Sequence, residues 1–277
     1  MSVINTNVNA VFAQNAMKTN TRAMSTAMEQ LSTGSRINSA KDDAAGLAIG
    51  QNMTSQVRGL NQAVRNANDG INMLQTAEGA MVEVSNMLQR MRELAVQASN
   101  GTYSTTQRTY LQKEFSQLSS QITSINTQTK WNDTTVLAAG TTKFQVGAMS
   151  GQTVSVIVSA TTLAGLGISG ATFTLSGATV ASGMTNASSA ITKLDSALGT
   201  INAQRATLGA SINRLTYAAD NLTNISSNLS ASRSTIMDTD YATATTQLSK
   251  TQIIQQAATA MLAQANQQPQ SVLSLLK

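Results

Sequence analysis

A long run of apolar residues at helical spacing is the feature that most constrains the fold. Between Met53 and Ala98 apolar positions alternate at steps of four and three, with one extra step of three from Leu74 to Ala77. This is the spacing of a coiled-coil seam with a stammer. Proline would interrupt such a helix, and the chain has only one, Pro269. The seam consists of Met53, Val57, Leu60, Val64, Ala67, Ile71, Leu74, Ala77, Met81, Val84, Leu88, Met91, Ala95 and Ala98.

Two further seams follow. The first ends at the turn Asn100-Gly101, and a second runs through Leu111, Phe115, Leu118, Ile122 and Ile125. Helices joined by so short a turn should lie antiparallel. The third consists of Ile191, Leu194, Leu198, Ile201, Arg205, Leu208, Ile212, Leu215, Ala219, Leu222, Ser226 and Leu229. Each apolar stripe needs a partner, so the three are expected to pack into one bundle rod.

Two polar residues, Arg205 and Ser226, interrupt the third seam. The simpler interpretation, which we favour from the sequence, is that each reaches out of the seam to water. The alternative is that each makes a polar contact that fixes the register of the helices.

The pattern changes from period 3.6 to period 2 between about 134 and 183, where Gly, Ser and Thr are frequent. Phe144 and Val146 alternate before the turn Ser150-Gly151. Val154, Val156 and Val158 alternate after it, which predicts a β-hairpin. A further strand is predicted at Phe173 and Leu175. The segment has too little apolar content for a large domain.

The two ends of the chain share a different character. Residues 1–33 and 241–277 are compatible with helices, but their apolar residues are mostly small and broadly spread. Such helices are hard to stabilise alone, so each end should fold only against a partner. We therefore expect the chain to reverse its direction so that its amino-terminal and carboxyl-terminal segments pair with each other. The predicted fold is mainly α: an elongated antiparallel coiled-coil bundle rod with paired terminal helices and a small β-hairpin insert.

The stretch LSTGSRINSAKDDAAGLAIG, residues 31–50, lies between the first terminal helix and the long seam. Ser39 and Asp42 have the spacing of a capping box, and Asp42 and Asp43 would place negative charge at the positive end of the helix. Gly34 and Gly46 flank this joint. A catalytic role for the two acids would need a partner acid or a metal, and the sequence offers none nearby.

Composition argues against an enzyme. The chain has no histidine and no cysteine among 277 residues, which removes serine triads, cysteine nucleophiles and most zinc ligand sets. Its net charge of +5 comes from scattered single Lys and Arg residues without interleaved aromatics, so we expect neither nucleic acid as a partner nor any cofactor or metal. No stretch has the apolar length of a membrane span, and the amino terminus lacks the pattern of a cleaved signal peptide.

Long matching segments at both ends make the chain resemble bacterial flagellin, the subunit of the flagellar filament. In the amino half they are residues 31–50, RNANDGINMLQTAEGAM (65–81) and LQRMRELAVQASNGTYS (88–104). In the carboxyl half they are DTDYA (238–242) and the run LSKTQIIQQAATAMLAQANQQPQSVLSLL (248–276). Residues 135–185 show little resemblance, as expected of the variable segment of the family.

The resemblance implies a structural role and a set of partners. It implies unfolded export by the flagellar type III system, polymerisation with itself at the distal tip and an extracellular location. It also implies an export chaperone, filament cap and hook-junction proteins, and a host Toll-like innate receptor. The expected domains are an inner coiled coil of residues 1–43 and 237–277, a rod of 44–135 and 186–236, and an outer insert of 136–185.

Two groups of site residues follow from the matching positions. The surface for the receptor and for protofilament contacts comprises Gln89, Arg90, Leu94 and Glu114. The joint between inner domain and rod comprises Gly34, Arg36, Asn38, Ser39, Asp42, Asp43, Asp238 and Asp240. One departure affects the joint: where the family has S-R-I and an acidic residue, this chain has Ser234, Thr235, Ile236 and Met237, so the salt bridge that those residues would supply is not expected.

Three other kinds of protein can be weighed against the flagellin resemblance from the residues. A hook-filament junction protein shares the terminal helices, but the match here extends through the rod and carboxyl terminus. A cytoplasmic signalling coiled coil should carry more charge on its outward positions and no β-insert. A metalloprotease insert is excluded, because H-E-x-x-H requires histidine.

Overall fold

The computed structural model describes residues 6–169 and 173–274 of the chain. The helices are α1 (Val8–Thr33), α2 (Ala44–Ser99), α3 (Thr105–Gln128), α4 (Val180–Met237) and α5 (Tyr241–Ser274). The strands are β1 (Lys130–Trp131), β2 (Thr134–Thr135), β3 (Gly140–Gln145) and β4 (Thr153–Val158). Contacts divide the chain into two units, Arg58–Ser226 and the two end segments up to Val57 and from Ser227. The mainly helical class with a small β-hairpin is thereby confirmed.

The unit Arg58–Ser226 is built on the three predicted seams. Arg90 on α2 meets Glu114 on α3, and Arg92 on α2 meets Asp195 on α4. Glu78, further back on α2, meets Arg205, further along α4, so α4 runs antiparallel to α2. The three helices bury one shared core, whose largest fully buried apolar side chains include Leu74, Met81, Leu88, Met91, Phe115, Ile122 and Leu194. Every apolar seam residue from Ile71 to Leu215 lies in this core or packs against it, so that part of the seams is confirmed as core. Leu60, Ala67, Ala219 and Leu222 are buried outside it, and Val64 is half-buried.

Both polar interruptions of the third seam make contacts between helices, so the favoured interpretation was wrong. The hydroxyl of Ser226 is buried and donates to Asn61 Oδ1 at 2.8 Å. Arg205 Nη2 lies 3.0 Å from Glu78 Oε1. The Ser226 hydroxyl and one nitrogen of the Arg205 guanidinium each find a partner on α2, which carries a polar residue at the matching level. The Arg205 side chain stays 34% exposed, and its buried Nε has no partner among the described residues. These contacts can distinguish one register of the two helices from another.

The predicted β-hairpin is present. Strands β3 and β4 pair antiparallel from Gly140↔Val158 to Gln145↔Thr153. Val156 and Val158 are buried in the helical core, whereas the outward Ile157 is 62% exposed. The hairpin therefore adds one apolar face to the core that the helices share.

No strand forms at Phe173 and Leu175 within the described segment, so that prediction was wrong. Both side chains are buried in irregular structure, and the Phe173 and Phe115 rings lie 4.8 Å apart between centroids. The Leu175 N–H donates to Gln112 Oε1 at 2.6 Å instead of to a neighbouring strand. A short turn that the sequence analysis missed joins β1 to β2 through Asn132 and Asp133, both in the left-handed region that Asn and Asp tolerate.

Helices α1 and α5 form an antiparallel pair, which confirms the expected pairing of the termini. The Asn7 amide donates to the Ala265 carbonyl at 2.7 Å, and the Asn20 amide donates to the Thr251 carbonyl at 2.8 Å. The buried residues between the helices are small or polar: Ala10, Asn20 and Ala27 on α1, and Ala244 and Thr251 on α5. Small facing residues allow the close approach of the two helices.

Replacing Phe115 with Ala tests the shared core. The Phe115 side chain is 1% exposed, and its loss should lower the free energy of unfolding by about 3–5 kcal/mol. The matched control is Tyr110→Ala on the same helix, where the ring is 63% exposed and lies 5.8 Å from the Lys113 ammonium. That control should cost no more than about 1 kcal/mol. Urea unfolding measures both, and equal losses would contradict the assignment of α3 to the core.

Candidate functional site

The first candidate site is an exposed group of charged and polar residues on α2 and α3, which we call the α2–α3 surface: Gln89, Arg90, Glu93 and Glu114. Arg90 Nη1 lies 2.9 Å from Glu93 Oε2, and Arg90 Nε lies 2.9 Å from Glu114 Oε1. These hydrogen bonds, that of Glu93 first, raise the pKa of Arg90 above its ordinary value. The guanidinium is thus held in a fixed orientation between the helices, while roughly half of its side chain stays exposed.

The structure brings together three of the four predicted residues. Gln89, Arg90 and Glu114 are exposed, but Leu94 is 1% exposed and belongs to the core. Leu94 lies one turn beyond Arg90, yet its side chain packs inward with Met91 and Ala95. Including Leu94 in an accessible surface was therefore wrong. Glu93, which the sequence analysis did not include, takes its place beside Arg90.

A second exposed ion pair joins α2 to α4. Arg92 Nε lies 2.6 Å from Asp195 Oδ1, and this hydrogen bond raises the pKa of Arg92. Arg92 is two residues from Arg90, so the two arginines point to different neighbours around α2. This pair provides a matched comparison for the α2–α3 surface.

Sequence reasoning missed Arg108, which holds the turn between α2 and α3. Its side chain is fully buried. Nε donates to the Ala98 carbonyl at 2.7 Å, Nη1 to the Tyr103 carbonyl at 2.8 Å and Nη2 to the Asn100 carbonyl at 2.8 Å. The sequence around Arg108 carries no pattern that indicates a buried arginine. Its burial follows only from where the turn between α2 and α3 lies.

The second candidate site is the joint, which main-chain hydrogen bonds close. The Arg36 N–H donates to the Met237 carbonyl at 2.7 Å, and the Thr239 N–H donates to the Gly34 carbonyl at 2.9 Å. Ser35 and Asp238 pair as an isolated antiparallel bridge. Gly34 ends α1 with a φ of 71°, the left-handed conformation that glycine adopts without strain. The structure thus brings residues 34–38 and 236–240 together.

Two side chains reinforce the joint without forming an ion pair. The Arg36 guanidinium donates to the Ile236 carbonyl at 2.5 Å. The Met237 thioether lies directly against Gly50 on α2, where a Cβ would come within 2.5 Å of its sulfur. Across the joint, the described residues form no salt bridge. Around Ile236 and Met237 the joint is therefore held by a backbone acceptor and an apolar contact.

The prediction that Ser39 and Asp42 form the cap of α2 was wrong. The helix begins at Ala44, and the Gly46 N–H donates to Asp43 Oδ1 at 2.8 Å, so Asp43 is the N-cap. Asp42 Oδ2 instead accepts from the N–H and the hydroxyl of Ser39, at 3.0 and 2.8 Å. These bonds, the hydroxyl first, lower the pKa of Asp42. The turn from Ser39 to Asp42 directs that carboxylate back onto the loop instead of onto the helix end.

The remaining joint residues stabilise the chain on each side. The Asn38 amide donates to the Ser35 carbonyl at 2.9 Å, and Asp238 accepts from the Ser234 hydroxyl at 2.5 Å. Asp240 caps α5, accepting from the Ala242 N–H and the Thr243 hydroxyl, each at 2.9 Å. The joint is therefore a continuous set of turns and caps in which every predicted member has a contact.

A third feature is an apolar surface on the terminal helices. Phe12 on α1 is 71% exposed, and Met261 on α5 is 67% exposed. They share a shallow groove with Ala13, Ala16, Ile254, Ala257 and Ala258. Exposed apolar side chains gathered in one groove make this part of the helix pair a candidate binding surface. We call this group the terminal surface. Among the residues that the structure describes, no helix has the length and apolar character needed to cross a membrane.

Comparisons with known proteins agree with the two-sided resemblance. The bacterial flagellin N-terminal helical region matches residues 4–142, and the bacterial flagellin C-terminal helical region matches residues 191–276. A flagellin of Xenorhabdus nematophila is 42% identical over 311 aligned residues, which cover 100% of this chain and 99% of that protein. Neither family region includes residues 143–190, which contain all of the main hairpin except the first three residues of β3.

Other relatives are longer. Polar flagellin F of Vibrio parahaemolyticus is 46% identical over 172 residues, 61% of this chain and 46% of that protein. A flagellin of Escherichia coli O127:H6 is 48% identical over 169 residues, 61% of this chain and 31% of that protein. The chain thus spans less than half the length that these two relatives have.

The cap of α5 predicts a pH dependence. Hydrogen bonds, that of the Thr243 hydroxyl first, lower the pKa of Asp240 from its ordinary 3.8. A lowered pKa in the folded state means that the cap contributes fully above pH 3.8 and is lost as the pH falls through the folded value. In Asp240→Asn the amide still caps but does not titrate. The difference in thermal midpoint between wild type and variant should shrink on acidification.

Circular dichroism at a series of pH values measures this difference. The matched control is Asp69→Asn, an exposed acid within α2 to which the structure gives no hydrogen bond. The difference in thermal midpoint between this control and wild type should not change with pH. An Asp240→Asn difference that stays equally flat would contradict the capping role.

Proposed function

The chain belongs to the bacterial flagellin family, and we propose that it is the structural subunit that polymerises into the helical flagellar filament. The observation that carries the proposal is the terminal surface. The residues that the two paired helices bury fully are small or polar, and Phe12, Ile254 and Met261 stay exposed. That arrangement supports further burial against identical neighbours. A heterologous contact that does not close on itself extends into a filament.

The same proposal includes the route and the place of assembly. A chain whose ends gain most of their burial from neighbours suits export in an unfolded state through the flagellar type III system and addition at the filament tip. We propose an export chaperone, the filament cap and the hook-junction proteins as its partners during that process, and the extracellular flagellum as its location. The proposed role is structural, not enzymatic.

The three-part division into inner domain, rod and outer insert is part of the proposal. The pairing of α1 with α5 supports residues 1–43 and 237–277 as the inner part, and the shared helical core supports the rod. The exposed outer residues of the hairpin, such as Ile157 and Met149, support an insert that faces outward.

We propose that the α2–α3 surface serves both protofilament contacts and a host Toll-like innate receptor. Arg90, Glu93 and Glu114 offer opposite charges in a fixed arrangement and remain accessible in the single subunit. Such a charged group provides orientation and selectivity to a contact with another protein. Leu94 supports the surface only from beneath, as part of the core.

Seeded growth tests the filament role. The full chain should extend filament seeds into long tubes visible by electron microscopy. A variant lacking residues 1–33 and 241–277 should stay monomeric yet helical by circular dichroism. A finer variant, Phe12→Ser with Met261→Ser, should also fail to elongate, because both side chains are exposed and their loss leaves the subunit folded.

The matched control is Met149→Ser, which removes an exposed methionine, 64% accessible, from the hairpin loop. This variant should elongate like wild type. A full chain that never extends a seed would favour the hook-filament junction role. A Phe12 and Met261 variant that elongates normally would show that the terminal surface is not the polymerising contact.

Receptor activation by purified monomer tests the α2–α3 surface. Arg90→Ala with Glu114→Ala should lower activation at least about tenfold, because truncating a central arginine contact commonly costs about 2 kcal/mol or more. The control is Arg92→Ala with Asp195→Ala, which removes an equally exposed ion pair from the α2–α4 side. Unchanged activation by the first variant would refute the receptor role.

A further inference from the structure

Arg108 is a buried cation that joins one helix to the end of another. It lies in the first turn of α3, and its acceptors are the Ala98 carbonyl in the last turn of α2 and the Asn100 and Tyr103 carbonyls of the connecting turn. The last carbonyls of a helix lack partners within the helix and carry partial negative charge. The guanidinium therefore satisfies the buried Ala98 carbonyl at the end of α2 and adds a second donor to the Asn100 carbonyl, which also accepts from the Tyr103 N–H.

The charge of Arg108 is balanced by carbonyl dipoles rather than by an acid. Among the described residues no carboxylate forms a salt bridge with it. A buried charge is tolerated only when it is well hydrogen-bonded, so its position depends on all three carbonyls being in place. Because the guanidinium is a rigid planar group, three bonds in different directions fix where α3 starts relative to α2.

Helix α4 packs against the aliphatic part of the Arg108 side chain. Gly183 lies directly over it, since a Cβ at that position would come within 2.9 Å of Arg108 Cδ. Even an alanine there would force the arginine to move. The buried arginine thus links all three helices of the core at the closed end of the α2–α3 hairpin.

The Arg90–Glu114 pair lies a short way along the same hairpin. Arg90 is eight residues before Ala98 on α2 and Glu114 is six residues after Arg108 on α3, which correspond to about 12 and 9 Å of helix. A slip of α3 by one turn would move Glu114 by about 5 Å. The 2.9 Å contact between Arg90 and Glu114 would then be lost.

We infer that Arg108 is a positioning residue: it fixes the register of α3 on α2 and thereby sets the charges of the α2–α3 surface in their binding arrangement. It does this from inside the core, without touching a partner. The use of that surface rests on the proposed function, whereas the positioning itself does not.

Distances between spin labels test the positioning directly. The chain has no cysteine, so Gln89→Cys and Lys113→Cys, both at exposed positions, would carry the only two labels. In the wild-type background the distance distribution should be narrow. In Arg108→Met, which keeps a long side chain but no donors, it should broaden or shift by up to about one helical turn, or 5 Å.

The matched control is Arg65→Met, which removes an exposed arginine of α2 whose guanidinium, within the described part of the chain, bonds only Gln62. It should leave the distribution unchanged. Where Arg108→Met fails to fold, Gly183→Ala gives a milder test, because it displaces the guanidinium without removing it. A distribution that stays narrow and unshifted in a folded Arg108→Met, or in Gly183→Ala, would overturn the inference.

Receptor activation then separates the two proposals. With the surface correctly assigned, Arg108→Met should lose activation at least several-fold although Arg90, Glu93 and Glu114 are intact. Wild-type activation by Arg108→Met together with altered label distances would refute the coupling of register to binding. If the Arg90 and Glu114 double variant itself signals normally, the surface assignment fails, and the label distances alone decide the positioning role.

Discussion

Burial of the three apolar seams against one another is the interaction on which the other features depend. With aromatic residues at only 3% of the chain, the core is made of aliphatic side chains such as Leu74, Leu88 and Leu194, all fully buried. Each contributes roughly 1.5–3 kcal/mol when removed from water. The hairpin adds Val156 and Val158 to this same core, and the α2–α3 surface exists because the core presses its two helices together.

Apolar seams alone specify register poorly, because a shift by one heptad brings equivalent side chains together. Polar contacts at defined levels correct this weakness. Glu78–Arg205 and Asn61–Ser226 distinguish registers of α2 on α4, and the three carbonyl bonds of Arg108 do the same for α3. Such contacts contribute less to stability than to the choice of one arrangement. This explains why a core of interchangeable small and medium residues can still present a fixed surface.

Helices and strands with a repeating apolar pattern could be predicted from the sequence. Contacts that depend on the geometry of a turn could not. Helices α2 to α4 followed from seam spacing, and the main hairpin followed from alternation. The strand at Phe173 failed because two alternating apolar residues can equally fill a core from irregular structure, as the contact with Phe115 shows. Leu94 was misplaced because helical spacing gives the face of a residue but not which face is covered. Arg108 was missed, and the cap was assigned to Ser39 and Asp42 instead of Asp43, because one residue of difference in a turn decides which side chain reaches the helix end.

Unlike the core helices, the terminal helices bury mainly small side chains against each other. Their shared interface holds Ala10, Ala27 and Ala244, with hydrogen bonds from Asn20, and each methyl group contributes only about 0.8 kcal/mol on burial. Isolated helices are marginal in water, so this pair gains little from itself. The larger side chains Phe12, Ile254 and Met261 are exposed, whereas Met17, Met24 and Leu31 are half-buried. In the proposed filament, neighbouring subunits would bury these exposed side chains, and this burial would favour assembly through the terminal helices.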